Sequence, residues 1–466
     1  MDANKLPSAS SQAATIDTAA GMDPPRYEKQ ELDTGSIKSG SPPADPAEFD
    51  NINRTSSSVG AFFNMVGMVL GSGSLQLPYV LYKGGWFGLV IMGVCGAIAV
   101  FSAIITIRCL HAVPGKRLLG FVDIGQESFG RPGRYFAYFF HMLFCFGSTC
   151  LYIILAGSTI HTLLVLTGVN LSEKFWMFVC TFVMWIPYII LKQMAETAII
   201  SMFGFLSSVV VVLIAVVISF SKPYLSHGPI PDDNPHAVLS GTEITHVFVH
   251  WAGIPTALAT FSFAFAGNAI YPYIEGSMRS PRHWPYVSLC AMVVITAFYM
   301  LCGAAGYHAY GQHTVSPMLG NLPRGATSVA AQILIVIHVI IAVPVLMTSL
   351  AMEMEKSLKI MPQYMSRVKE RVTRTILRTL LLVALMGVSM AIPYFSQVMT
   401  LVGALSTGCV FLIEPILFYW KLYGFRRIPW YEHIIGVVML ALGILAMVLG
   451  TKDGAIALRD AIHKSN

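Results

Sequence analysis

The chain has 466 residues, 55% of them hydrophobic and only 12% charged, with a formal net charge of +6 and a mean hydropathy of +0.65. Soluble domains carry about 25% charged residues, so the composition excludes a soluble globular protein and points to a polytopic membrane protein. The positive charge does not mark a nucleic-acid binder, because the basic residues sit at the ends of apolar runs and form no aromatic-interleaved patch.

Residues 1–55 are rich in Ser, Ala, Pro, Asp and Glu and poor in aromatics. Such a segment buries too little apolar area to fold, so it reads as a disordered tail, either regulatory or inert. Apolar runs near the ~20-residue length that spans a bilayer then start near Ser57, Trp86, Tyr135, Phe175, Ala198, Gly253, Pro285, Thr327, Ile376, Gln397 and Tyr431. They predict an all-α integral membrane protein with eleven transmembrane helices. Lys and Arg accumulate in short cytoplasmic loops. With the tail in the cytoplasm, only Lys83, Lys174, Lys222, Arg324, Lys452, Arg459 and Lys464 among the 30 basic residues fall on the opposite side. The amino terminus is therefore expected in the cytoplasm, and the short tail 453–466 on the outer or lumenal side. Of the two glycosylation sequons, Asn170-Leu171-Ser172 then lies outside and Asn53-Arg54-Thr55 inside. The 8 cysteines lie within or at the ends of the spans with no CxxC pair, and read as packing thiols; no metal or other cofactor is expected.

Span one is interrupted. Gly71-Ser72-Gly73-Ser74-Leu75-Gln76-Leu77-Pro78 falls inside an apolar run from Val59 to Leu81. Backbone polar groups left unpaired in hydrocarbon cost several kcal/mol each, so non-helical chain at that depth survives only where protein, water or a solute satisfies it. The plain alternative is that the glycines, with Gly67, serve close helix packing. Span six is interrupted too: Thr260 to Pro272 combines Gly267, Asn268 and Pro272 in mid-membrane. Phe261, Phe263 and Phe265, two apart, face either lipid or, if the segment unwinds, a ligand.

Ionisable groups within spans cost about 2.5 to 3.5 kcal/mol each at the bilayer centre, so His141, His161, His338, Glu275 and Glu414 stand out. His338, mid-way along span eight, belongs to the residue type whose unperturbed charge change falls between about pH 5 and 8, and is either a proton-coupling group or a packing residue. Glu275 is expected at the inner end of span six near Arg279 and Arg282, as a gate or a helix-end salt bridge. Glu414 precedes Pro415 toward the inner end of span ten and reads as a coupling carboxylate or as an interfacial group reaching a Lys or Arg.

The two interrupted spans are five apart. An odd offset inverts the second copy in the membrane, so spans one to five and six to ten fit the inverted repeat of secondary transporters, whose site lies between discontinuous helices. Three stretches carry a resemblance to a known family. The first span and its exit, with GSGSLQLPYVLYKGGW, the approach to span three from Val122 to Arg134, and span six from Phe263 to Pro285 are similar to the amino acid/auxin permease family. That group includes vesicular inhibitory amino acid, proton-coupled amino acid and fungal vacuolar amino acid transporters.

The resemblance implies a leucine-transporter-like 5+5 inverted repeat plus one extra helix, within an amino acid transporter domain over 56–452. Repeat one covers about 57–220, repeat two about 253–422 and the extra helix about 431–451. It also implies an amino acid substrate and a vacuolar or other endomembrane, with the plasma membrane as the alternative. The substrate is expected between Gly71, Ser72, Gly73, Ser74 and Leu75 on one side and Phe263, Phe265, Ala266, Gly267 and Asn268 on the other. Amides of the first break suit a carboxylate, and carbonyls of the second suit an ammonium. Sodium-coupled members hold Asn four residues before the first Gly of GSG; Gly67 is there instead, so protons are the expected driving ion. Ala266-Gly267-Asn268 departs from the family's usual residues, which leaves the preferred amino acid open.

Two other readings remain. His227-Gly-Pro-Ile-Pro-Asp232 matches the loose HxxxxD pattern of acyltransferases but lies in a Pro-rich loop without further catalytic motifs, so an enzyme is not expected. A sensor that binds amino acid and signals through its tail would present the same binding site as a carrier.

Overall fold

A computed structural model describes residues 54, 56–165, 167–190, 198–221, 223–224, 238–323, 325–361 and 364–465. The amino-terminal tail, Asn53 and the stretch from His227 to Asp232 lie outside the described residues. Among those residues the chain is helical apart from loops and one isolated bridge between Ser56 and Met278. Ten helical stretches are long and apolar enough to cross a membrane. The shorter helix α7 (Ile254–Phe265), continued after a break by α8 (Tyr271–Ser277), supplies the remaining passage expected from hydropathy.

Span one is α1 (Ser58–Val69) and α2 (Leu77–Gly84), joined by a 3₁₀ turn over Ser72–Gln76. Ser57 caps α1 by accepting from Gly60 N, and Pro78 opens α2 where a missing N–H costs nothing. Span two is α3 (Phe87–Leu110). Helix α4 (Phe121–Val165) turns sharply at Gly130, whose φ of 67° favours glycine, so the amphipathic approach to span three and the span itself are separate helices. Helices α5 (Glu173–Ile190) and α6 (Ala198–Ser221) complete the first half.

The second half adds α9 (Trp284–Tyr310), α10 (Ala326–Ser357), α11 (Arg367–Ala391), and span ten as α12 (Phe395–Val402), a π-helical segment (Gly403–Ile413) and α13 (Glu414–Tyr423). Two features shape span ten. A Cβ on Gly403 would stand 2.2 Å from the Ala259 carbonyl, so only glycine permits this approach to α7. Pro415 has no N–H to return to the Phe411 carbonyl four residues earlier, and Ser102 Oγ of α3 donates to that carbonyl at 2.8 Å instead. After α14 (Trp430–Leu445) and a π-helical turn, the carboxyl-terminal segment continues as α15 (Thr451–Ser465) and packs on α12. The core places α1 against α6 and α9, α7 against α2 and the π segment, and α10 against α4 and α6.

Candidate functional site

The two breaks meet. Helix α1 ends at Val69, Leu70 and Gly71 leave helical geometry, and α7 ends at Phe265 with Ala266 extended. The hydroxyl of Tyr299, on α9, lies 2.6 Å from the Val69 carbonyl and 2.8 Å from that of Ala264. Its one hydrogen can be donated to either helix end, so it joins the two half-helices where hydrocarbon offers no water. Gly73 fits against α7 so closely that an added Cβ would lie 3.1 Å from Ala264 Cα.

Between the breaks is a cavity of about 40 Å³. Its walls are Gly71, Ser72 and Gly73 from the first break, Phe263, Ala266 and Ile270 from the second, Phe144, Ser148 and Tyr152 from α4, and His338, Ala342 and Leu346 from α10. Five of the predicted binding residues, Gly71, Ser72, Gly73, Phe263 and Ala266, therefore line it. The other five stand behind the wall. Ser74 Oγ donates to the Gly71 carbonyl at 2.8 Å, and Leu75 is buried in the core. Phe265 packs edge-on against Tyr299, and Gly267 rests against the ring of Tyr271. Asn268 turns away from the cavity, its amide donating to Ser102 Oγ at 2.7 Å and Thr106 Oγ1 at 3.1 Å on α3. Phe261, Phe263 and Phe265 are all buried, so none of the three faces lipid.

The ionisable candidates separate. His338 lines the cavity, with Nδ1 bonded toward α6. Glu275 is near the carboxyl-terminal end of span six, in α8, but its partners differ from Arg279 and Arg282. Arg117 donates to it from Nε at 3.0 Å and Nη2 at 2.6 Å, His111 Nε2 is 3.1 Å away, and Arg54 approaches to 4.0 Å. Arg279 and Arg282 are exposed instead, because the chain leaves α8 at Ser277 to bridge Ser56, with Arg279 N donating to the Ser56 carbonyl. Glu414 is not interfacial: it is fully buried, and neither carboxyl oxygen has a hydrogen-bond partner among the described residues. His141 is buried near Ser349 and Cys145.

Tyr152, Ser148 and Phe144 went unnoticed in the sequence. The one available signal was their spacing of four, which puts all three on one face of span three. On the opposite side of the protein from Glu275, a second cavity of about 230 Å³ is lined by Tyr79, Lys83, His250, Thr256, Ser396 and Asp453, among others. Gln76 donates to Ser396 Oγ, in the wall of this cavity, at 2.8 Å and accepts from Ser316 Oγ.

Comparison with known proteins agrees with this architecture. The family profile described as transmembrane amino acid transporter protein matches residues 54–454. The chain is 27% identical over 422 residues to amino acid transporter AVT1I of Arabidopsis thaliana, covering 89% of this chain and 97% of that one. It is 27% identical over 407 residues to AVT1C of the same plant, covering 86% and 70%. Among solved structures, that of MhsT in complex with L-phenylalanine superposes with a TM-score of 0.51 at 14% identity, over 84% of this chain and 99% of that one. That likeness establishes the leucine-transporter-like fold. With most of its length matched by the profile, the chain belongs to the family of transmembrane amino acid transporter proteins.

Proposed function

We propose that the protein is a secondary active transporter that carries α-amino acids across a membrane by alternating access around broken spans one and six, powered by protons. The observation that carries this reading is the cavity where Gly71 to Gly73 faces Phe263 and Ala266. Two discontinuous helices meeting in mid-span leave amides and carbonyls free to replace a solute's water. The names of the relatives and the L-phenylalanine held by MhsT support the amino acid class. Gly71, Ser72, Gly73, Phe263 and Ala266, with Tyr152 and Ser148, are assigned to the solute; Ser74, Leu75, Phe265, Gly267 and Asn268 hold the breaks in shape.

Two features favour protons over sodium. No carboxylate side chain is among the described residues lining the cavity, and Gly67 replaces the Asn of sodium-coupled members. Alternating access needs one side shut while the other opens. The Arg117–Glu275 pair, tied to the segment before α1 through Arg54 and Ser56, suits an inner gate. The distribution of Lys and Arg supports a cytoplasmic amino terminus, and the family resemblance supports a vacuolar or other endomembrane.

The test is uptake of the twenty proteinogenic amino acids into proteoliposomes under an imposed pH or sodium gradient. At least one should accumulate under the pH gradient, fail to do so when the gradient is collapsed, and be indifferent to replacing sodium with choline. Accumulation that requires sodium at equal pH would overturn the coupling, and no uptake or binding of any amino acid would overturn the function.

A further inference from the structure

We infer that His338 receives the ammonium group of the bound amino acid on Nε2, and that a proton competes for the same lone pair. This rests on the substrate site proposed above and gives it a charge-reading residue. His338 Nδ1 lies 2.9 Å from the Gly204 carbonyl and 2.8 Å from Ser208 Oγ, both on α6. A carbonyl can only accept, so Nδ1 carries the hydrogen. In the neutral ring Nε2 is then a bare acceptor.

That acceptor points into the cavity. Nε2 is buried and without a hydrogen-bond partner among the described residues, on a side chain that lines the cavity wall. A Cβ placed on Gly71 would stand 3.0 Å from it and 3.6 Å from the Tyr152 hydroxyl. The imidazole edge therefore meets the first break.

The rest of the described wall gives an ammonium no charged partner. The single Tyr299 hydrogen occupies one of the helix-end carbonyls of Val69 and Ala264, and no carboxylate is among the described residues lining the cavity. The hydroxyls of Ser72 and Tyr152 can donate to the substrate's carboxylate. An ammonium beside them finds its complement in Nε2. A neutral imidazole grips it without forming a buried ion pair, which would be slow to release.

Protonating Nε2 removes the lone pair and places a positive charge against the ammonium, so proton and amino acid exclude one another, reciprocally. A proton arriving from an acidic compartment displaces the amino acid into it, and is released on the other side when the next amino acid binds there. The coupling is therefore exchange. Of the titratable groups on the helices packed around α10, Tyr152 of α4 faces His338. His141 of α4 faces Ser349 further along the helix, with Cys145 against His141, Tyr188 of α5 faces Arg378, and the described side chains of α6 include none.

The experiment measures binding of tritiated L-alanine, L-leucine, L-phenylalanine and L-glutamine to purified full-length protein between pH 5.5 and pH 7.5. For whichever binds, affinity in the wild type should weaken on acidification, approaching roughly tenfold per pH unit for one linked proton. His338→Gln, whose amide oxygen still accepts, should bind with no pH dependence over this range. The deaminated counterpart of the same amino acid, as a competitor, should show no weakening on acidification in the wild type, a control that needs no variant. Affinity that rises on acidification would mean that a protonated Nε2 grips the carboxylate, and overturns the inference. So does a His338→Gln protein with the wild-type slope. In both cases the proposed function stands, whereas a wild type that binds none of the proteinogenic amino acids sinks that function and the inference together.

Discussion

Tyr299 reaches the Val69 carbonyl at 2.6 Å with the only hydrogen on its hydroxyl, and the same oxygen is 2.8 Å from the carbonyl of Ala264. One side chain of α9 thus pins the end of α1 to the end of α7. Tyr299→Phe keeps the ring, its contact with Phe265 and nearly all the volume. It removes the hydroxyl and leaves one buried carbonyl short of a donor, at a cost of about 1 to 3 kcal/mol. The expected outcome is a lower melting temperature with a weaker affinity for the best substrate, both read on purified protein. Unchanged values for both would show that the two helix ends hold their positions without the tether.

Gly73 should be the least replaceable residue of the first break. Its φ lies outside the left-handed region, so the reason is proximity rather than dihedral freedom. A Cβ would stand 3.1 Å from Ala264 Cα and 3.2 Å from Ala264 Cβ, both attached to the helix backbone and unable to swing aside. Gly73→Ala is expected to weaken substrate binding by forcing α1 and α7 apart by a few tenths of an ångström. Gly73→Val should abolish it while the protein still reaches the membrane. Binding measured on matched monodisperse samples decides; wild-type affinity in Gly73→Val would move the site elsewhere.

Asn268 should act on stability and not on selectivity. Its amide joins the second break to α3 through Ser102 and Thr106, and Ser102 in turn donates to the Phe411 carbonyl left free by Pro415. Asn268→Ala removes the shared donor from a buried chain of hydrogen bonds, a loss of about 1 to 3 kcal/mol. The rank order of amino acids in a competition panel should be unchanged while thermal stability falls. A reordered panel would place the amide at the substrate after all.

The contrast between Gly73 and Asn268 marks what the sequence reveals. Gly-Ser-Gly before Pro78 and Gly-Asn before Pro272 interrupt apolar runs, and that interruption can be read without coordinates because bilayer physics penalises it wherever it occurs. The five-span offset between them foreshadowed the fold. Which way a side chain turns beyond a break is another matter: periodicity is lost there, so nothing in the local pattern directed Asn268 to α3 rather than to the cavity. The same limit applies to Tyr152 and Ser148, where an apolar helix buried on most sides gives little amphipathic signal to say which face meets the substrate. Glu275 found Arg117 across 158 positions of sequence, a pairing set by how the loop before α4 folds over α8. Nearby Arg279 was the obvious partner by distance along the chain, and tertiary structure overrode it.

Topology offers a check that involves no transport. Asn170 is exposed in the loop between α4 and α5, on the side assigned as lumenal. In a glycosylating host it should be the modified sequon, detected as a mobility shift removed by a glycosidase and lost in Asn170→Gln. Sugar on Asn53 would reverse the orientation.

The Arg117–Glu275 pair should control access from the side where the amino terminus lies. Glu275 is fully buried and Arg117 nearly so. Arg117 Nη2 also donates to the Pro272 carbonyl at 2.6 Å, binding the start of α8 as well as its acid. Removing Arg117 leaves the buried carboxylate only His111 at 3.1 Å and Arg54 at 4.0 Å, a loss below the roughly 3 to 5 kcal/mol of a fully stranded charge. In Arg117→Ala the weakly paired carboxylate gains most by reaching water, which requires the α8 end of span six to part from the loop before α4. A cysteine placed at Ser72, in the cavity wall, should then react faster with a membrane-impermeant thiol reagent supplied on the amino-terminal side. The reversed pair, Arg117→Glu with Glu275→Arg, should slow that reaction again by restoring opposite charges, although the Pro272 contact is lost. Equal labelling in the wild type and Arg117→Ala would show that the pair holds the loop in place without acting as a gate.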